Sequence, residues 1–243
     1  MKKILIGVCA YNECHRIEPV LERLSKVQEK EKFDVLIVDD GSNDNTLEII
    51  NKFAKKYKWE VIVHEKNIGI GRSLKDIAFY AQKNNYDIVT SMSANGKTDP
   101  EQLCRMYEPI IKDDYDYVKG SRYIQGGESP NLPLFRKITI PMYSFFVSIL
   151  MRKKITDVTC LINAMKVSVL KNKKININQD WLDKYEYEYY VLYYVLKEKM
   201  KFKEVPMSIN YPADKKNYSK IKPFKGWWSM IRPWILLNFH IKK

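Results

Sequence analysis

The residues whose types and spacing suit chemistry occur in short polar groups, each beside an apolar run. A carboxylate at the end of a strand can accept hydrogen bonds from the base or ribose of a nucleotide, and glycines let the backbone approach a ligand. Taken alone, Asp39-Asp40-Gly41-Ser42 is equally compatible with an ordinary strand–turn–helix junction, and a lone Gly-x-Gly is weak evidence. The groups are Tyr11-Asn12-Glu13, Asp39-Asp40-Gly41-Ser42, Asn67-Ile68-Gly69-Ile70-Gly71 and Ser93-Ala94-Asn95.

The elements that would position these groups alternate between apolar strands and amphipathic helices. Such alternation predicts an α/β fold with a mostly parallel sheet covered by helices on both faces. Ligands of these sheets bind beyond the carboxyl ends of the strands, where all four polar groups fall. Strands are predicted at 4–10, 33–38, 60–64, 86–92, 115–120 and 202–209, and later helices at 99–111, 138–151 and about 181–199.

The composition is that of a globular protein with an excess of positive charge. Of the 243 residues, 45% are hydrophobic, and the net charge is +13. From Lys197 to the C-terminus, twelve Lys and Arg residues stand against three acids. Nucleic acid, an anionic membrane surface and anionic substrates are the possible partners. Nucleic acid is disfavoured because the aromatic residues lie in apolar segments and do not alternate with basic residues.

Two segments, Ile138–Met151 and Gly226–Phe239, are more apolar than a soluble domain needs. Neither reaches the ~18–20 apolar residues of a membrane span. Their basic flanks, and the Trp residues of the second, suit amphipathic helices at the membrane interface. We therefore expect a catalytic domain at 1–222, including the 138–151 interface helix, and a basic, Trp-rich, membrane-facing segment at 223–243. The protein is expected to be peripheral on the cytoplasmic face of the membrane, with no transmembrane span.

Taken in order, the polar groups resemble the motifs of family-2 nucleotide-sugar glycosyltransferases, which have the GT-A fold. Within that family, later motifs resemble the branch of dolichyl- and polyprenyl-phosphate mannosyltransferases. The resemblance covers roughly residues 3–222, and its strength lies in the ordered series. Besides the groups above, the motifs are Asn45-Thr46, Asp99-Pro100-Glu101, Gly120-Ser121-Arg122-Tyr123, Arg136, Asp157-Val158-Thr159 and Glu204-Val205-Pro206.

The resemblance implies a role for particular residues. The implied donor-binding residues are Tyr11, Glu13, Asp40, Asn67, Ser93, Asn95 and Lys97. The implied acceptor-phosphate residues are Arg122, Arg136 and Lys220. The chain departs from the family pattern where Ser93-Ala94-Asn95 replaces Asp-x-Asp, where Leu161-Ile162 replaces Gly-Phe, and where Tyr190 replaces an acid.

The altered Asp-x-Asp motif bears on how the donor diphosphate is neutralised. The leaving nucleotide diphosphate gains negative charge, and a placed cation stabilises it. Mg²⁺ prefers anionic oxygens, whereas Ser93 and Asn95 offer neutral ones, so a tight Mg²⁺ or Mn²⁺ site is not expected. Lys97 would supply charge instead, unless it is an ordinary solvated loop lysine. Asn95 and Asp99 are the remaining candidates for metal ligands.

The acceptor decides whether a general base is needed. Arginine forks bind phosphate, although Arg122 could instead form a structural salt bridge with Glu128 or Asp157. A phosphate acceptor is already ionised near neutral pH, but a sugar hydroxyl needs a base within hydrogen-bond reach. Candidate bases are Asp157, Glu186 and Glu188, and the predicted catalytic set is Lys97, Asn95 and Asp157. The three histidines, His15, His64 and His240, are too dispersed in sequence to predict a site.

The sequence therefore predicts a hexosyltransferase that moves a sugar from a GDP- or UDP-sugar to a polyprenyl or dolichyl phosphate. One alternative is a transferase that elongates a glycan hydroxyl in surface polysaccharide synthesis. The other is a catalytically silent protein that binds nucleotide sugars. Expected partners are the nucleotide-sugar, the polyprenyl-phosphate lipid and an anionic membrane surface.

Overall fold

The structure is a computed structural model that describes residues 2–213, 221 and 224–242. Within this part, strands and helices alternate through the first two thirds of the chain, as the sequence predicts. The strands are β1 (Ile4–Ala10), β2 (Asp34–Asp39), β3 (Glu60–Val63), β4 (Ile88–Ser93), β5 (Tyr117–Ser121), β6 (Asn163–Lys166) and β7 (Phe202–Pro206). The α-helices are α1 (Ile17–Lys30), α2 (Thr46–Tyr57), α3 (Ile70–Lys83), α4 (Cys104–Lys112), α5 (Leu134–Met151), α6 (Glu186–Lys197) and α7 (Lys225–Asn238).

The strands form one mostly parallel sheet in the order β3-β2-β1-β4-β6-β5-β7. β6 is antiparallel to its neighbours β4 and β5, and the other pairs are parallel. β1 is buried along its whole length because it is an interior strand of the sheet, with helices on both faces. The predicted α/β class and mostly parallel sheet are confirmed.

Alternate residues of the strands feed two apolar clusters, one on each face of the sheet. Ile6 and Val8 of β1 pack with α1, α2 and α4, whereas Leu5 and Cys9 pack with α3, α6 and α7. This period of two follows from the pleat of a strand. The sheet is therefore held rigidly from both sides, which fixes the loops at its carboxyl edge.

Several boundaries differ from the sequence expectation for local reasons. The helix predicted at 99–111 begins as a short 3-10 turn, Pro100–Gln102, before α4. The long aromatic helix predicted at about 181–199 likewise starts with a turn, Asp180–Leu182, and α6 begins only at Glu186. The last strand ends at Pro206, three residues early, at a residue without a backbone N–H.

α5 begins at Leu134, before the predicted position, and lies along the domain. Ser144 Oγ accepts the Val158 N–H at 3.0 Å, and Ser148 Oγ accepts the Ile155 N–H at 2.9 Å. By length and composition alone, α5 could cross a membrane, and it is the one described helix that meets this test. Only 17% of it is buried. The sequence expectation that no segment spans the membrane is therefore not confirmed and stays a prediction.

α7 is packed into the domain and is not detached from it. Trp234 and Leu237 are buried in the same apolar cluster as α6. Arg232 Nη2 lies 2.6 Å from Glu186 Oε1, and the Tyr143 hydroxyl of α5 donates to the Met230 carbonyl at 2.6 Å. The helix within the predicted 223–243 segment thus shares its core with the catalytic domain.

Candidate active site

The carboxyl ends of β1, β2 and β4 meet at one edge of the sheet. Cys9 of β1 is in register with Val38 of β2 and with Ser93 of β4. The polar groups that follow these three strands are therefore neighbours in space, although Tyr11 and Asn95 are 84 residues apart in sequence. This arrangement is what the sequence predicts for the ligand edge of a parallel sheet.

The loop after β1 is tied to the turn after β2. The Asn12 N–H donates to Ser42 Oγ at 2.9 Å, and the Glu13 N–H donates to Thr46 Oγ1 at 2.8 Å. Asn12 has a positive φ of 49°, a conformation that asparagine tolerates better than most residues. The side chain of Tyr11 is half-buried beside this loop, and Glu13 is buried. The loop that carries Tyr11 and Glu13 is therefore held against the turn after β2 by hydrogen bonds from its backbone N–H groups to the hydroxyls of Ser42 and Thr46.

The carboxylate of Asp40 holds the glycine-containing loop after β3. Its Oδ1 accepts the Ile68 N–H at 2.9 Å, and its Oδ2 accepts the Gly69 N–H at 2.9 Å and Asn67 Nδ2 at 3.0 Å. His64 Nδ1 lies 2.7 Å from Oδ1. Asp40 is 4% exposed, so these contacts compensate for burying the charge.

Asp40 and Asn67, which the sequence assigns to donor binding, are thus in direct contact with each other. His64 belongs to the same network and was missed by sequence reasoning, which dismissed the histidines as dispersed. A usable signal was present, because His64 follows β3 as directly as the other polar groups follow their strands. The rule that selected those groups applies to it equally.

The turn after β4 presents Ser93, Asn95 and Lys97 on one loop. Asn95 Oδ1 accepts the Lys97 N–H at 3.1 Å, which closes a tight turn through Gly96 at φ +72°. The Ala94 N–H donates to the Cys9 carbonyl at 2.9 Å and holds the turn against β1. Ser93, Asn95 and Lys97 are all partly exposed at the carboxyl edge of the sheet.

The residues of this turn do not fit a tight divalent metal site. Ser93 and Asn95 supply neutral oxygens, and the amide oxygen of Asn95 is already engaged by the backbone. Asp99 points to α1, where its carboxylate lies 2.5 Å from Arg23 Nη1. In the described part of the chain, no three His, Cys, Asp or Glu side chains are grouped to hold a metal ion.

Three cationic side chains converge on the ring of Tyr211, which follows β7. Arg122 Nη1 donates to the Tyr211 hydroxyl at 2.9 Å. Lys97 Nζ lies 5.4 Å from the centre of the ring, and Arg136 Cζ lies 6.0 Å from it. Cation–π attraction favours both contacts, but the positive charges repel one another. An anion placed among them would be attracted by Lys97 and Arg136, whereas the charge of Arg122 is balanced by Asp157.

The guanidinium of Arg122 is engaged by hydrogen bonds to other residues of the protein. Its Nε and Nη2 donate to the two carboxylate oxygens of Asp157 at 2.6 and 2.8 Å, and Nη2 also donates to Thr159 Oγ1 at 2.6 Å. Burial opposes the charged form, but hydrogen bonds and attraction from Asp157 outweigh it and raise the pKa of Arg122 above its usual value. This geometry favours the structural salt bridge that the sequence left open.

Two further contacts place the Tyr211 segment and Asp157. The Asn210 N–H donates to the Lys97 carbonyl at 2.8 Å, so the chain after β7 is fastened to the turn after β4. Glu204 of β7 accepts the Thr156 N–H at 2.9 Å and the Asp157 N–H at 3.2 Å. The Glu204-Val205-Pro206 motif therefore supports Asp157, which in turn supports Arg122.

The other two candidate bases lie at the start of α6 and are also engaged. Glu186 is 1% exposed and pairs with Arg232 at 2.6 Å. Glu188 is 5% exposed, and its Oε1 accepts Asn163 Nδ2 at 3.1 Å. Burial raises the pKa of Glu188 to about 8, despite the opposing effects of Lys119 and of this hydrogen bond.

The predicted residues thus fall into two neighbouring parts of the sheet edge. Around the loop after β3 lie Asp40 and Asn67, and around Tyr211 lie Lys97, Arg122 and Arg136. Lys220 lies outside the residues that the structure describes. Tyr211 was missed because no motif of the sequence marks it, and only the folded chain brings it between cations that are far apart in sequence.

Comparison with known proteins assigns the fold and the family. Residues 5–172 match the family model described as glycosyl transferase family 2. This chain belongs to glycosyl transferase family 2. The enzyme class and the family predicted from the sequence are therefore confirmed.

Three of the relatives it matches have names that state an acceptor. The chain is 30% identical over 86% of its length, and 86% of the relative's, to the UDP-N-acetylglucosamine–dolichyl-phosphate N-acetylglucosaminyltransferase of Methanococcus voltae. It is 27% identical over 72% of its length to the dolichol-phosphate mannosyltransferase of Pyrococcus furiosus, covering 49% of that protein. It is 29% identical over 70% of its length to the undecaprenyl-phosphate mannosyltransferase of Micrococcus luteus, covering 68% of that protein.

Solved structures agree on the GT-A fold. The glucosyl-3-phosphoglycerate synthase of Mycobacterium tuberculosis, crystallised with Mn²⁺, UDP-glucose and phosphoglyceric acid, superposes with a TM-score of 0.67. The match covers all of this chain and 81% of that one at 14% sequence identity. At this identity the likeness establishes the fold alone.

Proposed function

We propose that this glycosyltransferase moves a sugar from a nucleotide-sugar donor to a polyprenyl phosphate at the surface of a membrane. The observation that carries the proposal is the position of Arg136. It lies in the first turn of α5, within 6.0 Å of the Tyr211 ring, and the rest of α5 presents an exposed apolar face. One helix therefore offers a cation for a phosphate and an apolar surface for a lipid.

The apolar face continues from α5 onto α7. Phe135 of α5 and Trp227 of α7 lie with ring centres 5.8 Å apart, so the two helices present a joint surface. A monomeric soluble protein rarely exposes a contiguous patch of this kind. The exposed apolar residues of this face are Leu134, Phe135, Ile138, Met142, Phe145, Phe146, Ile149, Leu150, Phe224, Trp227, Trp228, Ile231, Ile235 and Phe239.

A groove beside α5 suits the hydrocarbon chain of the acceptor. It has a volume of about 490 Å³ and runs between α5 and the segment 152–156. Its lining includes Tyr123, whose ring centre lies 5.9 Å from Arg122 Cζ. It also includes the exposed Arg152, Lys153 and Lys154, which complement anionic lipid headgroups.

The state of the carboxylates favours a phosphate acceptor over a sugar hydroxyl. A hydroxyl acceptor needs a base within hydrogen-bond reach, whereas a phosphate is ionised without one. Asp157 and Glu186 are paired with Arg122 and Arg232, and Glu188 is buried against Asn163. We assign the acceptor phosphate to Arg136, with Arg122 setting the position of Tyr211 beneath it.

On the donor side, we assign the nucleoside to the loops that carry Tyr11, Glu13 and Asn67, with Asp40 holding the last of these in place. Lys97 faces the diphosphate together with Ser93 and Asn95, and stabilises the charge that develops on the leaving group. A carboxylate-bound metal ion has no role in this assignment, because the oxygens at the turn after β4 do not fit one.

The experiment that tests the proposal is a transfer assay with a panel of labelled GDP- and UDP-sugars and polyprenyl phosphate in mixed vesicles. We expect labelled product that partitions into organic solvent and is released by mild acid, as a glycosyl phosphate would be. Label that enters an acid-stable glycan would favour hydroxyl transfer. Nucleotide binding without transfer to either acceptor would indicate a catalytically silent relative.

A further inference from the structure

Both ring nitrogens of His64 lie within hydrogen-bond distance of a carboxylate. Its Nδ1 lies 2.7 Å from Asp40 Oδ1, and its Nε2 lies 2.8 Å from Asp76 Oδ2 on α3. Only 7% of the His64 side chain is exposed. Arg72 Nε donates to both oxygens of Asp76 at 3.1 Å, so the network begins on α3 and ends at Asp40.

The other end of this network holds a loop with little freedom to move. Asp40 accepts hydrogen bonds from Asn67, Ile68 and Gly69. Gly69 has a φ of +134°, and a Cβ at this position would lie 2.4 Å from the Asp183 carbonyl oxygen. The loop is therefore held by Asp40 on one side and packs closely against the Asp183 backbone on the other.

We propose that His64 is a positioning residue for the donor: as an imidazolium bridging Asp40 and Asp76, it fixes the Asn67–Gly69 loop in the conformation that binds the nucleotide. This inference rests on the assignment of the donor site to that loop. His64 itself does not touch the donor. Its effect passes through Asp40 to the loop backbone.

The requirement for the charged form follows from the two carboxylates. A neutral imidazole carries one N–H, so it can donate to Asp40 or to Asp76 but not to both. Its other nitrogen would then present a lone pair to a carboxylate oxygen. The charged groups around His64 are Asp40 after β2 and Asp76 on α3, with Arg72 behind Asp76; Arg72 in turn interacts with Asp180 and Asp183.

The titration of the group agrees with this geometry. Hydrogen bonds to Asp40 and Asp76 raise the pKa of His64 to about 9, although burial acts in the opposite direction. Burial also opposes ionisation of Asp76, yet hydrogen bonds from His64 and Arg72 leave the pKa of Asp76 below its usual value. The bridge is therefore intact at neutral pH and is lost as the pH rises through about 9.

Two amide substitutions test the His64–Asp40 contact and the His64–Asp76 contact separately. His64→Asn places an amide where Nδ1 lies and can keep the bond to Asp40, whereas His64→Gln reaches the Nε2 position and keeps Asp76. Both remove the charge. His240→Asn is the matched control, because His240 is exposed beyond α7 and its positive φ of 55° suits asparagine.

The measurement is the Kd of the donor nucleotide by calorimetry from pH 6.5 to 10, using the nucleotide that the transfer panel selects. Wild type and His240→Asn should bind with constant Kd up to about pH 8, and with about tenfold weaker affinity per pH unit above 9. His64→Gln should bind at least about tenfold more weakly at pH 7.5, His64→Asn less so, and both should show a smaller alkaline loss than wild type. Because the ring N–H of the nucleotide base also ionises at alkaline pH, the loss is compared between proteins: an alkaline loss in both variants as large as that of wild type, or an unchanged Kd in both, overturns the proposal.

Hydrogen exchange gives a readout that needs no donor. In His64→Gln, the Ile68 and Gly69 amides should lose protection at pH 7.5, while the amides of β1 keep theirs, which also reports that the variant is folded. Equal protection in variant and wild type overturns the positioning role. If wild-type protein binds no nucleotide of the panel, the proposed function fails, and the exchange result still decides the role of His64.

Discussion

Arg122 and Asp157 form a buried ion pair in which two guanidinium nitrogens lie 2.6 and 2.8 Å from the two carboxylate oxygens. Both side chains are almost fully buried, at 4% and 0% exposure. Glu204 holds the Asp157 backbone, and Arg122 donates to Tyr211. The pair therefore links β5 and β7 to Tyr211, the residue that Lys97 and Arg136 also contact.

The first prediction contrasts Arg122 with Arg136. Arg122→Ala leaves Asp157 buried without its partner, so the free energy of unfolding should fall by about 3–5 kcal/mol. Arg136→Ala, at a partly exposed position, should leave stability unchanged within about 0.5 kcal/mol and weaken acceptor use by roughly tenfold or more. Chemical denaturation measures the first effect, and the KM for polyprenyl phosphate measures the second. Equal loss of donor affinity in Arg136→Ala would contradict its assignment to the acceptor.

Lys97 is the subject of the second prediction. If its ammonium supplies charge to the leaving diphosphate, Lys97→Ala should lower turnover by roughly 10²–10³, with a smaller effect on nucleotide affinity. Transfer should persist in excess chelator, because Ser93 and Asn95 do not offer the anionic oxygens that Mg²⁺ prefers. Lys52→Ala is the control, since this lysine of α2 is 74% exposed.

The chelator experiment can also contradict the reading of this turn. Complete loss of transfer in chelator, restored by manganese, would show that another carboxylate binds a metal. Normal turnover in Lys97→Ala would show that Lys97 is an ordinary loop lysine that does not contribute to transfer.

Much of the fold could be predicted because strands buried on both faces leave a direct trace in the sequence. Runs such as Ile4–Ala10 are apolar throughout, and polar residues follow them at the carboxyl edge of the sheet. The convergence at the sheet edge follows from the parallel arrangement of the strands and needs no knowledge of individual contacts.

Contacts between distant elements could not be predicted in the same way. From the sequence alone, Arg122 could bind either a phosphate or Asp157. Only the packing of β5 against the segment after α5 decides between these two partners. The integration of α7 is similar. Its Trp residues look alike in sequence, yet Trp234 is 3% exposed and Trp228 is 53% exposed. Which face of a helix is buried depends on what it packs against.

The third prediction concerns the apolar face of α5 and α7. Phe145→Ser combined with Phe146→Ser, two side chains that are each 62% exposed, should weaken binding to anionic vesicles without lowering thermal stability. Raising the salt should weaken binding further, because Arg152, Lys153 and Lys154 should each contribute about 1 kcal/mol. Vesicle flotation measures both effects.

A substitution away from this face controls for general loss of surface hydrophobicity. Phe79→Ser, on α3, should leave vesicle binding unchanged. Substitution is preferable to removal of 223–243, because that deletion also removes the buried Trp234 and Leu237 and should destabilise the domain. Wild-type protein that remains in solution with anionic vesicles at low salt would contradict membrane association.

The fourth prediction follows from the raised pKa of Glu188. In the folded state its pKa is about 8, against 4.5 for an unperturbed glutamate. Between these values the folded protein holds a proton that the unfolded chain has lost, so Glu188 makes stability fall as the pH rises from 4.5 to 8.

Glu188→Gln keeps the oxygen that accepts the Asn163 amide and removes the charge. The variant should therefore be more stable than wild type at pH 8, should lose most of this pH dependence, and should match wild type near pH 4.5. Thermal unfolding across this range tests the prediction. A variant less stable than wild type at pH 8 would show that the ionised carboxylate is needed by Lys119, the nearby buried cation.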